Sequence, residues 1–183
     1  MKKLFLGLML AGAMCASAGL KVGTVNMVDL VRLHPNHESN KALVKSTDSD
    51  YKDKLARMQE EAKAIADEGK KVQSDLLNPI LAASAKAEAQ KKLEAIQQRF
   101  MAAQQEFRNA MQRFQSDLAE LETRLLRLET EDIRAKIAAY AKENGFDIIA
   151  DSTMLAFAKE SLDVTDDILR ALKVDPAKRA KKK

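Results

Sequence analysis

Residues 44–76, VKSTDSDYKDKLARMQEEAKAIADEGKKVQSDL, and residues 93–125, LEAIQQRFMAAQQEFRNAMQRFQSDLAELETRL, carry the same apolar ladder in opposite directions. Read forward, Val44, Thr47, Tyr51, Leu55, Met58, Ala62, Ile65, Gly69, Val72 and Leu76 follow one another in steps of three and four. Read backward, Leu125, Leu121, Leu118, Phe114, Ala110, Phe107, Ala103, Phe100, Ile96 and Leu93 do the same. Such steps draw one stripe along a helix. Both ladders contain a double four-residue step, through Thr47, Tyr51 and Leu55 and through Ala110, Phe114 and Leu118, a shared departure from strict heptads. Two mirrored stripes predict an antiparallel helical hairpin; a compact bundle of ordinary amphipathic helices is the competing architecture.

Folding the mirror about Ala85 nearly superposes the ladders, setting Gly69 against Phe100 and Ala62 against Phe107, with Leu55 and Phe114 further along the seam. Small residues facing large ones are what a close-packed seam needs. A glycine in a helix costs about 1 kcal/mol relative to alanine, so room for the Phe100 ring is the expected reason for Gly69.

The first eighteen residues stand apart from this pattern. Lys2 and Lys3 precede an apolar run over residues 4–14 and the small residues Ala16, Ser17 and Ala18. That order predicts a cleavable secretory signal peptide over residues 1–18. Cys15 invites a lipoprotein reading, but Met14 stands where a small residue is expected before a lipidated cysteine. Cleavage after Ala18 would remove the only cysteine and with it disulfide and thiol chemistry.

The formal charge of +4 includes Lys2 and Lys3, so the mature chain would carry +2. Its last nine residues hold five positive charges and one negative, which leaves residues 19–174 slightly acidic. Charges of both signs alternate along the ladders instead of gathering on one face, which argues against nucleic-acid binding. Residues 81–113 are the exception: Lys86, Lys91, Lys92, Arg99, Arg108 and Arg113 outnumber Glu88, Glu94 and Glu106. The distal arm is therefore mildly basic. Catalysis has little to work with, since His34 and His37 are the only groups that titrate near neutrality without perturbation. These histidines flank Pro35 and are expected as exposed loop residues, with neither a metal site nor a cofactor implied.

Around the hairpin, residues 20–27 read as a short strand and residues 28–33 as a short helix stopped by His34-Pro35. The arm is expected over residues 38–132, with its tip at about 78–84 and either Asn78 or Ser84 capping the return helix. Glu143-Asn144-Gly145 should end that helix, glycine tolerating a left-handed cap. Residues 146–150 and 154–158 read as a strand pair, and Thr165 before Asp166 and Asp167 as the cap of a last helix. Residues 175–183 read as a basic, disordered tail. The body is thus expected from residues 19–37 and 133–174, around an inserted arm.

Three pieces, Val22-Gly23-Thr24-Val25-Asn26-Met27, Ala141-Lys142-Glu143-Asn144-Gly145-Phe146-Asp147-Ile148-Ile149 and Leu162-Asp163-Val164-Thr165-Asp166-Asp167-Ile168, resemble the Skp/OmpH family of periplasmic chaperones. The last matches the family's closing D-[IV]-T signature; Asn26 stands where the family usually has aspartate, and the lysine-rich tail runs past the usual end. The resemblance implies a mainly α fold with a small β-structure assembled by a homotrimer, from which three arms project around a cavity. It also implies a periplasmic holdase that keeps unfolded outer-membrane proteins from aggregating, without ATP. Short strands that cannot bury their faces alone fit such an assembly. Met101, Met111 and Leu126, off the main seam, and the basic Arg99 and Arg108 are the candidate client contacts, methionine packing adaptably against varied partners. A coiled-coil adaptor docking one folded partner through its hairpin is the rival function, and lipopolysaccharide or an anionic membrane is a further partner for residues 178–183.

Overall fold

The computed structural model describes residues 19–180; the expected leader and the last three lysines lie outside them. Helices make up 78% of the fold. Strand β1 (Val22–Val25) leads into helix α1 (Met27–Leu33), then α2 (His37–Leu76) and α3 (Ala83–Asn144) form the hairpin. Strand β2 (Ile148–Asp151), two single-turn 3-10 helices, α4 (Thr165–Ala171) and the short α5 (Ala177–Ala180) follow. At 1.5 Å per residue, α2 reaches about 60 Å and α3 about 90 Å, so α3 alone extends through both arm and body.

β1 and β2 pair in parallel, with Val22 opposite Ile148 and Val25 opposite Asp151. The whole hairpin is the crossover between them. Leu30 from α1, Ile133 from α3 and Ile168 and Leu169 from α4 lose all solvent contact and form the centre of the body, closed by Val25, Val164, Leu172 and Val174. α3 ends at Gly145 in the left-handed conformation, φ 66°, with the Phe146 amide returning to the Ala141 carbonyl. Just before that cap, the Tyr140 hydroxyl donates to Asp167 at 2.8 Å, fastening the last turns of α3 to α4.

Several expectations are corrected here. Residues 154–158 are not a strand: the Asp151 carboxylate accepts from the Thr153 amide at 3.0 Å and curls Ser152–Met154 into a 3-10 turn. The place beside β1 that a third strand could take is held by Asp163, which bridges to Thr24. Thr165 is the first residue of α4, not its cap. Its amide donates to the Asp163 carboxylate at 2.8 Å, its hydroxyl donates to the same carboxylate, and that hydroxyl also accepts from the Asn26 amide. Asn26 in turn caps α1 by accepting from the Asp29 amide. The tip occupies residues 77–82, and α3 starts without a side-chain cap; Asn78 instead accepts from the Ile80 amide within the turn, and Ser84 lies inside the helix. Residues 177–180 of the expected tail are helical and return to the body.

Candidate functional site: the arm and its root

All twenty ladder residues are half-buried or buried, while Met101, Met111, Leu126, Arg99 and Arg108 are exposed. The stripe read from the sequence is therefore the contact line between α2 and α3. Its register differs by one turn from the expected pairing. A Cβ on Gly69 would lie 3.2 Å from the Ile96 side chain, and Phe100 does not come within 4 Å of it. The Tyr51 and Phe114 rings stack with centroids 4.2 Å apart and planes 3° from parallel. Both pairs are symmetric about the Ala82–Ala83 bond instead of Ala85. About that centre nine of the ten positions on each ladder pair, from Val44 with Leu121 to Val72 with Leu93, and the residues in the middle of each double four-residue step, Tyr51 and Phe114, meet. Because the steps repeat about every turn, a one-turn slip keeps apolar against apolar; the stacked rings distinguish the registers.

Ala62 and Phe107 nevertheless share one space. With Ala66 and Phe100 they floor a groove of about 470 Å3, rimmed by Gln59, Lys63, Gln104 and Arg108. Small side chains on α2 leave the half-buried rings of α3 partly uncovered, and polar stems border them. Met101, 68% exposed, stands one residue from Phe100 on the outer surface of α3. The Arg108 guanidinium donates to Gln105 at 2.6 Å. Arg99 is engaged across the hairpin: it donates to Glu68 at 3.1 Å, and Lys92 approaches the same carboxylate at 3.6 Å. Such exposed pairs add up to about 1 kcal/mol each, so they trim the register without setting it.

At the root of the arm lies a polar cluster that the sequence reading did not anticipate. Glu129 is buried on the seam face of α3, accepting from Asn40 at 2.7 Å and bonded to His37 Nδ1 at 3.1 Å. His34 is also buried: Nε2 lies 3.1 Å from Asp132, and Nδ1 accepts from the Asn36 amide. The Asn36 bond makes Nδ1 the acceptor, so Nε2 carries the proton toward Asp132. Neither histidine is the exposed loop residue expected. Together they clamp the turn between α1 and α2 onto α3 and fix where the arm leaves the body. A smaller space of about 190 Å3 beside them is lined by Val44, Leu125 and Leu126, which places Leu126 at the root, far from Met101.

In the body, Met154, Leu155 and Phe157 are exposed, Phe157 to 80%, next to a sheet of only two strands. The tip also presents Leu77 and Ile80 to solvent. No helix among the described residues is long and apolar enough to cross a membrane.

Among solved structures, an OmpH-like protein from Caulobacter crescentus CB15 superposes with a TM-score of 0.57 at 14% identity, covering 84% of this chain and 83% of its own. That likeness is one of fold. No curated protein matches the chain. The sequence pattern of the outer membrane protein (OmpH-like) family matches residues 21–172, from β1 through the hairpin to the end of α4, and the chain belongs to that family.

Proposed function

We propose that the protein is an exported holdase chaperone that binds unfolded outer-membrane β-barrel proteins between the arms of a homotrimer, without ATP. The observation that carries this is the pairing of an open, ring-floored groove on the arm with family membership. The structural neighbour from Caulobacter crescentus is itself assigned, provisionally, as an outer membrane chaperone. A holdase needs weak, distributed contacts in place of a closed pocket. The arm supplies exposed Met101 and Met111 beside Phe100 and Phe107, with Arg108 at the rim. Leu126 adds a contact near the root.

Trimer formation is supported by the body. Exposed Met154, Leu155 and Phe157 beside a two-stranded sheet form an apolar surface that an isolated subunit would leave in water. The leader over residues 1–18 would deliver the chain to the periplasm. Basic residues near the carboxy terminus would add attraction to lipopolysaccharide or an anionic membrane.

Reversing charge at Arg99 and Arg108 tests the client contact. Arg108→Glu should weaken capture of a urea-unfolded β-barrel protein and flatten its salt dependence. Arg99→Glu should do less, because Arg99 is already paired with Glu68. If both variants captured the client unchanged at every salt concentration, the basic rim would have no role. The adaptor reading draws on exposed Leu77 and Ile80 at the tip. It would be favoured by selective binding to one folded partner with no suppression of β-barrel aggregation.

A further inference from the structure

The match to the family ends at residue 172, yet the chain continues as an ordered segment that folds back over the body. After α4, Lys173 takes the left-handed conformation, φ 61°, and the Val174 amide returns to the Leu169 carbonyl, which turns the chain sharply. Val174 is buried in the core cluster, and α5 lies against α1. Its Arg179 reaches three carboxylates at once. Nε donates to Asp29 on α1 at 3.0 Å, Nη2 to Asp163 at 2.8 Å and Nη1 to Asp166 at 3.2 Å. The side chain is 27% exposed, so these bonds are partly shielded from water.

Three observations make this more than a surface ion pair. One guanidinium joins residues 150, 16 and 13 positions away, tying three separate segments together. Asp163 is also the carboxylate that receives the Thr165 amide and hydroxyl, and the Thr165 hydroxyl receives the Asn26 amide, so the network reaches the start of α1. Finally, α1 runs directly into the His34-Pro35-Asn36 turn from which the arm departs. The returning segment and that turn face each other across a groove of about 450 Å3, with Leu33, His34, Pro35 and Glu38 on one side and Lys173, Val174 and Lys178 on the other.

We propose that residues 173–180 form a strap, latched by Arg179 into the Asp29–Asp163–Asp166 socket, that braces α1 and so restricts the angle at which the arm leaves the body. Closed, the socket is partly neutralised by the guanidinium. Open, Asp29 keeps its pair with Arg32 at 2.6 Å while Asp163 and Asp166 lose their shared cation, so release removes the tie between α1 and the start of α4 and loosens one against the other. The device depends on the fold described above and not on the chaperone reading, and it is tested without a client.

The test uses the mature chain from residue 19, in which cysteines introduced at Ser46 on α2 and Ala171 on α4 carry spin labels, diluted with unlabelled chain so that each assembly holds one labelled protomer. The expected result is a narrow distance distribution in low salt. Arg179→Ala should broaden it about twofold, and Arg179→Lys, which cannot span three carboxylates, should fall between. In parallel, trypsin should cut after Arg179 at least tenfold faster in Asp166→Asn than in the unsubstituted chain. Salt in the molar range on the unsubstituted chain reaches the open state without any substitution, so a variant that failed to fold would leave the test intact. A distribution as narrow in Arg179→Ala and at high salt as in the unsubstituted chain at low salt would overturn the brace. Unchanged trypsin cleavage in Asp166→Asn would overturn the latch.

Discussion

In the body, Leu30, Ile133, Ile168 and Leu169 are withdrawn from water completely, whereas of the twenty ladder residues along the arm only Val72 and Ile96 are buried. The body is a small three-dimensional core to which α1, α3 and α4 all contribute. The arm is a seam, in which each residue is covered by its neighbours on one facing helix and is open on its other side. A core distributes the loss of one side chain over the whole unit; a seam confines it to a turn or two. The same narrowness that makes the arm locally soft leaves its outer surface, with Met101, Met111 and Arg108, free for other molecules.

Substitutions should separate the two regions sharply. Ile168→Ala should cost about 2–5 kcal/mol through the cavity it leaves. At about 2–4 °C per kcal/mol for a chain of this size, the melting temperature should fall visibly. Leu55→Ala, at a half-buried ladder position, should cost about 1 kcal/mol and leave body unfolding unchanged. Calorimetry showing equal, global destabilisation by both would erase the distinction between core and seam.

The root, where the regions meet, should be intermediate. Glu129→Ala removes the acceptor of the Asn40 amide and the partner of the His37 ring, and because both are only half-buried the cost should be near the low end of about 1–3 kcal/mol. Hydrogen exchange should then accelerate at the start of α2 and around Glu129 but not at Ile168. Exchange confined to the tip instead would show that the clamp does not hold the arm.

Acid should weaken the body through Asp163. Burial alone would raise the Asp163 carboxyl, but bonds from Thr165 and then Arg179 outweigh it and hold it below the ordinary range. A carboxyl lowered in the folded state contributes stability above its unfolded value of about 3.9 and loses it as pH falls through the folded value. Stability of the body should therefore decline below about pH 4, and Asp163→Asn should remove that part of the decline. An identical acid profile in Asp163→Asn would place the sensitive group elsewhere.

The smallest effect concerns register. Cysteines at Gly69 and Ile96 should oxidise to a disulfide far faster than cysteines at Gly69 and Phe100, because disulfides need Cβ atoms within about 4.5 Å. The reverse preference would restore the mirror about Ala85.

Much of the arm was legible because its information is periodic: every ladder position read from the sequence lies on the interface. Register was harder, since a stripe that repeats each turn permits slips of a turn. Even so, the coincidence of the two double four-residue steps at Tyr51 and Phe114 pointed to the observed alignment. Glu129 was also readable in principle, as it stands four residues beyond Leu125 and four before Ile133, a carboxylate in an apolar rung. The body yielded less. Residues 154–158 have the composition of a strand, but a strand needs an edge to join, and Asp163 occupies the one beside β1. The strap was hidden for a different reason: the lysines beside Arg179 make the segment look solvated, and its three carboxylate partners are assembled only by the fold.

Light scattering on residues 19–183, alone and mixed with a urea-unfolded outer-membrane β-barrel protein, tests the proposed division between an assembling body and a gripping arm most directly. The expected result is the mass of three chains alone and a soluble complex with the client in the mixture. A single-chain mass together with undiminished aggregation of the client would contradict it.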